Sequence, residues 1–263
     1  MQSNIINYTL HLADNALILG HRNSEWCGHG PVLEQDIAIT NISLDLIGQA
    51  RNFYQYAAAL MNAQQVFPTG GDFEGGEVSE DSLAYFRDSK DFKNLLLVEQ
   101  PKGDWAQTIL RQFFFSAYQY LLFEKLKASK DEQIAAIAVK ALKEVTYHLR
   151  WSSEWVIRLG DGTEESHSRI TKAMDELWDF TGEMFLLSEY ELEMLNNGIG
   201  PDVTLIKEIW MQKVKEVFNE ASLVVPSTSI IHLGGREGKH SEHLVHILKE
   251  LQSVARTLPG ATW

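Results

Sequence analysis

KALKEVTYHLRWSSEW, residues 140–155, is the stretch that decides the fold. Steps of three and four residues return to the same side of a helix, so a helical stretch here would have one distinctive face. That face carries Ile137, Ala141, Glu144, His148, Trp151 and Trp155. A carboxylate and an imidazole one turn apart on an otherwise apolar face indicate one of two arrangements. They are metal ligands or a proton relay inside a helical bundle, or they are a buried polar pair that satisfies itself.

Helical periodicity continues on both sides of this stretch, and no alternation with period two persists anywhere. The predicted helices cover roughly 6–22, 31–61, 80–87, 105–128, 130–160, 165–195, 201–221 and 240–257. Residues 63–79, which hold four glycines and a proline, predict an exposed loop, and residues 222–238 an irregular crossing segment. Four long helices with apolar seams favour an all-α bundle with about three further helices packed around it. We predict a single domain over residues 1–263.

Several helix boundaries have local signals. Pro31 suits a first helical position, and Asp104 with Gln107 predicts an N-cap and its partner. Ser129 with Glu132 predicts a capping box. The second helix shows a near-heptad seam, which we expect to face the core: Leu33, Ile37, Thr40, Leu44, Ile47, Arg51, Tyr54 and Ala58. Beside it runs a second stripe of Asn41, Asp45, Gly48 and Asn52.

Composition narrows the function classes. The chain has 263 residues, 44% of them hydrophobic and 22% charged, which is typical of a soluble globular protein. A net charge of −13 argues against binding to nucleic acid or to an anionic membrane surface. The one cysteine, Cys27, excludes an intramolecular disulfide and fits a cytoplasmic location. We find no signal peptide and no apolar run long enough to cross a membrane.

A carboxylate-bridged di-iron bundle needs a Glu from each of two helices and Glu-x-x-His from each of two others. The first helix offers only Asp14, and in the second Asp45 is followed three residues later by Gly48. The third long helix has no carboxylate between residues 105 and 123. In the fourth, Tyr147 stands three residues after Glu144, where the histidine is needed. We therefore predict no metal-binding residues, and expect Glu144 and His148 to bond to each other, with Lys140 adding an ion pair.

Three other constellations have both a functional and a structural interpretation. His240, His243 and His246 predict a hydrated helix end in preference to a zinc site, because no Asp or Cys completes the ligand set. GGREGK, residues 234–239, could cradle a phosphate, but it matches no known phosphate loop and predicts a glycine-rich connection. Cys27 and His29 lack an orienting third group, so we predict a buried filler cysteine and no nucleophile.

The aromatic residues of the third long helix point in all directions around its axis. They are Trp105, Phe113, Phe114, Phe115, Tyr118, Tyr120 and Phe123. A helix that is apolar on every side is buried in the core or covered by a partner chain. We favour the core and keep the partner interface as the competing interpretation.

Five stretches in the same order together resemble a known family. They are SEWCGH (24–29), DLIGQARNF (45–53), NLLLVEQP (94–101), KEVTYHLRWS (143–152) and GGREGKHSEHL (234–244). They are similar to the C subunits of bacterial phenylacetyl-CoA epoxidases, ring-1,2 monooxygenases of phenylacetate catabolism. The resemblance extends from the first helix to the Pro-Gly-x-x-Trp tail at 259–263, and only the loop at 63–79 is longer than expected.

The resemblance implies a ferritin-like subunit without its own di-iron centre and without catalytic, cofactor-binding or metal-binding residues. In such a complex, the iron is held by a related catalytic A subunit, which also binds phenylacetyl-CoA. A separate reductase supplies electrons from NADPH through flavin and an iron–sulfur cluster. We expect a structural subunit that holds the catalytic subunit in a heteromeric assembly, and the isolated chain is a candidate homodimer. Two alternatives stay open: an autonomous di-iron carboxylate oxidase with unusual ligands, and an acyl-CoA-binding module at residues 234–239.

Overall fold

A computed structural model describes residues 2–67, 77–227 and 230–258, and all regular structure in these ranges is helical. The α-helices are α1 Gln2–Ser24, α2 Leu33–Gln64, α3 Glu80–Tyr85, α4 Leu96–Glu99, α5 Trp105–Leu126, α6 Glu132–Gly160, α7 Glu164–Leu177, α8 Glu189–Asn196, α9 Ile206–Glu220, α10 Glu242–Leu251 and α11 Ser253–Thr257. Short 3₁₀ turns lie at Ser89–Asp91, Trp178–Phe180, Gly182–Phe185, Val203–Leu205 and Gly235–Glu237. The all-α prediction is confirmed. Most of the predicted loop at 63–79 and the 259–263 tail lie outside the described residues.

The bundle consists of α1, α2, α5 and α6. Helix α1 packs along α2, α5 packs along α6, and α2 joins the two pairs by lying against α6. Helices α7 and α9 cover α5 and α6, while α8 and the short α4 cover α1. The buried apolar side chains of these helices form one connected core. The prediction of a single domain over residues 1–263 stays a prediction.

The aromatic residues of α5 settle which of its two interpretations holds. Phe113, Phe114, Phe115 and Tyr118 are all buried within this chain. Trp210 of α9 packs against Phe114, with ring centroids 5.7 Å apart, and its indole N–H donates to the Phe114 carbonyl at 3.0 Å. The core prediction is therefore confirmed for these residues, and the partner-interface alternative is wrong for them.

Two of the three predicted helix starts are wrong. The Asp104 carboxylate accepts from the Gln107 backbone N–H at 3.0 Å, as predicted. The cap of α6 is Asp131, whose carboxylate accepts from Ile134 N–H at 2.9 Å, so Ser129 and Glu132 form no capping box. Helix α2 starts at Leu33 after Val32, which places Pro31 outside the helix.

The C-terminal half is more broken than its periodicity predicts. The helix predicted over 165–195 is divided into α7 and α8 by the 3₁₀ turns between residues 178 and 185. The helix predicted from residue 201 begins at Ile206, after a turn over Val203–Leu205 that Asp202 caps. In the first of these breaks the Glu183 carboxylate accepts hydrogen bonds from distant backbone, and such tertiary contacts override the helical preference of the local sequence.

The first part of the predicted seam of α2 faces the wrong way, whereas Tyr54 and Ala58 at its C-terminal end are buried as predicted. Leu33 is 73%, Ile37 52% and Leu44 62% exposed, and the side chain of Arg51 also faces solvent. The core face is instead formed by another apolar stripe: Ile39, Ile42, Leu46, Ala50, Phe53, Ala57 and Met61. Helix α2 thus has two apolar stripes, and periodicity alone cannot tell which one another helix covers.

Candidate functional site

The polar residues of α6 bond across the bundle to α2. His148, which is fully buried, lies with Nε2 3.0 Å from Oδ2 of Asp45. Glu144 accepts a 2.9 Å hydrogen bond from the side-chain amide of Gln49. The predicted bond between Glu144 and His148, with Lys140 as an ion-pair partner, is therefore wrong. Both side chains reach across to α2, because the packing of the two helices places polar partners there.

An amide chain extends this contact into α5. Gln119 donates from Nε2 to Oε1 of Gln49 at 3.0 Å, and Gln49 donates in turn to Glu144. A carboxylate only accepts, so Glu144 fixes the direction of both amides. A second chain runs from Asn23 of α1 to Gln112, 2.6 Å away, and on to Ser116 at 2.8 Å. Helix α5 therefore supplies amides and a hydroxyl to the bundle interior.

These residues do not fit a di-iron centre. The Asp45 carboxylate bonds to the imidazole that would be a ligand, and the Glu144 carboxylate is held by Gln49. Asp14, the acid of α1, pairs with Arg87. In the part of the chain that the structure describes, no group of three or more His, Cys, Asp or Glu side chains is placed to hold a metal ion. Neutral amides are poor substitutes for the bridging carboxylates that two iron ions require.

Tryptophan side chains close one end of this polar region. The Trp105 ring makes edge-to-face contacts with Trp26, Trp151 and Trp155, with centroids 5.1, 6.0 and 5.7 Å away. Gln35 of α2 accepts from both α6 indoles, at 3.2 Å from Trp151 and 2.8 Å from Trp155. The α6 stripe identified from the sequence is thus mostly buried, and its tryptophans join it to α2, α5 and the loop after α1.

A different kind of polar contact lies on the opposite side of α1. The buried Asp14 carboxylate is paired with the Arg87 guanidinium and also accepts from the Tyr54 hydroxyl and the backbone N–H of Lys93. Burial and then the charge of Asp14 raise the pKa of Tyr54 well above its usual value. This carboxylate is therefore a structural anchor for the segment after α3.

The glycine-rich motif binds an anion that belongs to the chain itself. The backbone N–H groups of Gly234 and Gly235 both donate to Oε1 of Glu183 at 2.9 Å, while Oε2 accepts from Leu96 N–H at 2.8 Å. Arg236 is buried, with Nε 2.8 Å from the Glu191 carboxylate. Although burial acts to raise it, the charge of Arg236 lowers the pKa of Glu191. A phosphate would have to displace both carboxylates, so the prediction of a structural connection is confirmed.

The prediction of a hydrated helix end is wrong for His240, although His246 is exposed in the first half of α10. Nδ1 of His240 lies 2.7 Å from the buried Glu99 carboxylate and its Nε2 2.9 Å from the carbonyl of Phe92. Burial lowers the pKa of His240, but the hydrogen bond and charge of Glu99 outweigh burial and raise it overall. Both partners accept, so the ring is doubly protonated when Glu99 is ionised. His243 and His246, which follow it, do not join this contact.

Cys27 departs from its prediction as well. It is exposed, so it is not buried filler. His29 bonds through Nδ1 to the Cys27 carbonyl at 3.0 Å, and this bond does not involve the thiol.

Sequence reasoning missed the amides and the cations. Gln119 and Arg87 lie in no motif or periodic stripe, and for Gln49 and Arg236, which lie in two of the stretches quoted above, the sequence did not indicate the partner, because each partner is more than 40 residues away. The available signal was the depletion of acids from α5, which left Gln112 and Gln119 as the polar groups on its inner face.

Taken together, the helix order and the centre define an all-α, ferritin-like bundle protein whose interior contains amides beside its carboxylates. The chain belongs to the family described as "Phenylacetic acid catabolic protein", whose model matches residues 1–263. It is 46% identical over 256 residues to the C subunit of the 1,2-phenylacetyl-CoA epoxidase of Escherichia coli (strain K12). The match covers 97% of this chain and 98% of that relative.

Four of the five stretches that carry the resemblance contain residues of the polar contacts above. Gln49 lies in the second stretch, Glu99 in the third, Glu144 and His148 in the fourth, and Arg236 in the fifth. Among the described residues, no helix is long and apolar enough to cross a membrane. The cytoplasmic location stays a prediction.

Proposed function

We propose that the chain is a structural, non-catalytic subunit of a phenylacetyl-CoA epoxidase, which stabilises the iron-containing catalytic subunit. The observation that carries this proposal is the donor set of the bundle centre. Each carboxylate there already has a hydrogen-bond partner, and α5 contributes Gln112 and Gln119 where an iron site needs acids. Carboxylates that are held by protein groups in this way have hydrogen-bond partners without a metal ion.

The exposed seam of α2 supports assembly with another chain. Leu33, Ile37 and Leu44 recur at steps of four and seven residues on one solvent-facing side of the helix. A stripe with this spacing suits the packing of a second helix at a shallow angle. A Cβ at Gly48, on the same helix, would meet nothing within 4 Å, so the surface is open there. We assign this seam to contact with the catalytic subunit.

The two alternatives have less support. An autonomous di-iron oxidase requires ligands that are already bonded to His148, Gln49 and Arg87. An acyl-CoA module at residues 234–239 requires backbone N–H groups and an arginine that Glu183 and Glu191 occupy. Both alternatives give measurable outcomes in the experiments below.

The first experiment is co-expression of this chain with the catalytic subunit, followed by metal analysis of each purified chain. We expect a stable complex in which the iron belongs to the other subunit. About two iron ions per molecule of this chain, the number that a di-iron bundle holds, would overturn the proposal in favour of the autonomous oxidase. Calorimetry of the isolated chain with phenylacetyl-CoA tests the acyl-CoA-binding alternative. Tight binding would favour that alternative over the structural subunit.

The second experiment tests the seam. Leu44→Glu is expected to weaken co-purification at least tenfold while leaving the unfolding midpoint of the isolated chain within a few degrees, because Leu44 is exposed there. The matched control is Leu205→Glu, which alters an equally accessible leucine, 72% exposed, before α9. If Leu205→Glu abolished the complex and Leu44→Glu did not, we would conclude that the interface does not lie on α2.

A further inference from the structure

A long groove lies on the outer surface of the bundle between α6 and α9. It encloses about 610 Å³. Its α6 wall runs from Thr146 to Ile157 and its α9 wall from Ile209 to Glu220. At a rise of about 1.5 Å per residue, each wall is about 16 Å long, or roughly three helical turns. A groove of this length between two helices has the dimensions of a docking site for a third helix.

The two walls meet at one end of the groove. A Cβ placed at Gly160, the last residue of α6, would lie 2.2 Å from the carbonyl oxygen of Ala221, the residue that follows α9. Because a side chain would not fit in this space, the glycine lets α6 and α9 touch where both helices end. The groove is therefore closed at the C-terminal ends of its walls, and the walls run in the same direction.

Helix α5 forms the floor toward the opposite end. The Trp105 ring, at the start of α5, contacts Trp155 near the end of α6, so the later residues of α5 lie toward the start of α6. The α5 residues that line the groove come from this later part, and they are Ala117, Tyr120 and Leu121. Together with Ile209, which is 50% exposed, they make the open end of the groove apolar.

Charged residues along the rim are ordered by sign. Arg150 and Lys213 precede the acidic residues of their helices and so lie nearer the open end. The acidic residues nearer the closed end are Glu154, Glu216 and Glu220. Glu216 lies 3.7 Å from Lys213, whereas Glu154 and Glu220 have no hydrogen-bond or ion-pair partner in the described part of the chain. The closed end is therefore acidic and the open end basic.

The floor, the charges and the position of the groove describe its occupant. An apolar floor between two helical walls accepts the apolar stripe of an amphipathic helix. The order of charges requires carboxylates over Arg150 and Lys213 and cations over the glutamates, because like charges that face each other oppose association. Helix α6 packs against both α2 and α9, so a chain that covers the exposed seam of α2 can also reach the groove.

We propose that an amphipathic helix of the catalytic subunit docks in this groove, with acidic residues at the open end and basic residues at the closed end. The inference rests on the proposed function, which supplies the partner chain, and it extends the interface from α2 across α6 to α9. Apolar contacts with Tyr120, Leu121 and Ile209 hold the helix, and the charges determine which of its ends lies at Gly160.

Zero-length carbodiimide cross-linking of the co-purified complex tests the contact. This reagent joins a carboxylate to an amine when the two groups touch. We expect Lys213 to be joined to an acidic residue of the catalytic subunit, and Glu154 or Glu220 to a lysine about two turns away on the same helix. Coupling of these residues to a second copy of this chain, or to no other chain, overturns the proposal.

Substitution of the apolar wall provides a second test. Ile209→Glu is expected to weaken co-purification with the catalytic subunit at least tenfold. The matched control is Leu192→Glu on α8, which alters a side chain of similar exposure, 48%, and should leave co-purification unchanged. Both variants should keep the unfolding midpoint of the isolated chain within a few degrees, because both side chains are exposed.

A pair of charge reversals on α9 tests the order of charges. Lys213→Glu should weaken the complex by about two- to fivefold, the effect of an exposed ion pair. Lys215→Glu makes the same change of net charge at an exposed position outside the groove, and its effect should be smaller. Equal effects of the two variants overturn the proposed charge pairing and with it the proposal.

The outcomes separate this proposal from the proposed function. If Leu44→Glu weakens the complex and neither Ile209→Glu nor Lys213→Glu does, the groove is not part of the interface and the structural subunit stands. If no complex with the catalytic subunit forms, both proposals are overturned. Leu205, the control for the seam of α2, precedes α9 and does not line the groove.

Discussion

The two polar regions on either side of α1 differ in how they satisfy their carboxylates. On the side of α3, α8 and the 234–240 segment, Asp14 and Glu191 are paired with arginines and Glu99 with His240, all buried. In the bundle centre, Glu144 and Asp45 are partly exposed and bond to an amide and an imidazole. Two of the three carboxylates in the first region are paired with arginines, whereas the carboxylates of the second region bond to an amide and an imidazole.

This difference separates the region that should stabilise the fold most from the polar centre of the bundle. A buried charge pair is costly to break, because either partner left alone is an uncompensated charge. A partly exposed carboxylate bonded to an amide can lose its charge at a lower cost, because the amide can still donate to a neutral oxygen. The charged region should therefore dominate stability, although the bundle centre is the place that resembles an active site.

The largest expected effect is that of Arg87→Met. It leaves Asp14 buried without its cation, and we expect a loss of about 3–5 kcal/mol of unfolding free energy, measured by urea denaturation. The double variant Asp14→Asn with Arg87→Met is the control, and it should recover part of this loss because no charge is left unpaired. A loss below about 1 kcal/mol for Arg87→Met, no more than that of an exposed ion pair, would remove the distinction between the two regions.

A smaller effect is expected for Glu183→Gln. The carboxylate accepts from three backbone N–H groups, whereas a glutamine would present an N–H₂ group to one of them. We expect a loss of about 1–3 kcal/mol in the same denaturation measurement. Glu237→Gln, which alters an exposed acid of the same motif, should change stability by less than about 0.5 kcal/mol. Equal effects of the two variants would contradict the anion-binding role of the motif.

The two buried histidines predict opposite dependences on pH. His11 has a pKa lowered to about 4, so its contribution to stability is present above pH 6.5 and is lost as the pH falls from 6.5 towards 4. His240 has a raised pKa, so its contribution is present below pH 6.5 and is lost as the pH rises through the folded-state value. The measurement is the urea midpoint as a function of pH across pH 4–9. We expect this curve to be flatter on its acidic side for His11→Gln and on its alkaline side for His240→Gln. A His240 variant that follows the wild-type curve would show that its bond to Glu99 carries no charge.

The smallest effect is expected for Glu144→Gln. The new amide oxygen can still accept from Gln49, so the loss should not exceed about 1 kcal/mol, and turnover of the assembled epoxidase should be nearly unchanged. Complete loss of turnover in a correctly assembled complex would instead give Glu144 a relay role. Gln49→Leu is the matched comparison, and it should cost more, since it leaves Gln119 and Glu144 without their shared partner.

The sequence by itself determined the class of fold and the inner face of α6. Helical periodicity predicted Trp151 and His148 on one buried stripe. The spacing of acids argued against an iron site, and that stays a prediction. These properties depend on residues three or four apart, which any helix brings together. The same local reasoning placed the cap at Asp104.

Only the tertiary structure decided which groups are partners. Glu144 bonds to Gln49 and not to His148, and Asp14 to Arg87, because packing of distant helices sets these distances and periodicity does not. The same holds for α2, where two apolar stripes are equally helical and the packing of α1 buries one of them. Burial makes each unpaired polar group costly, so the fold, rather than the local sequence, selects the partner that satisfies it.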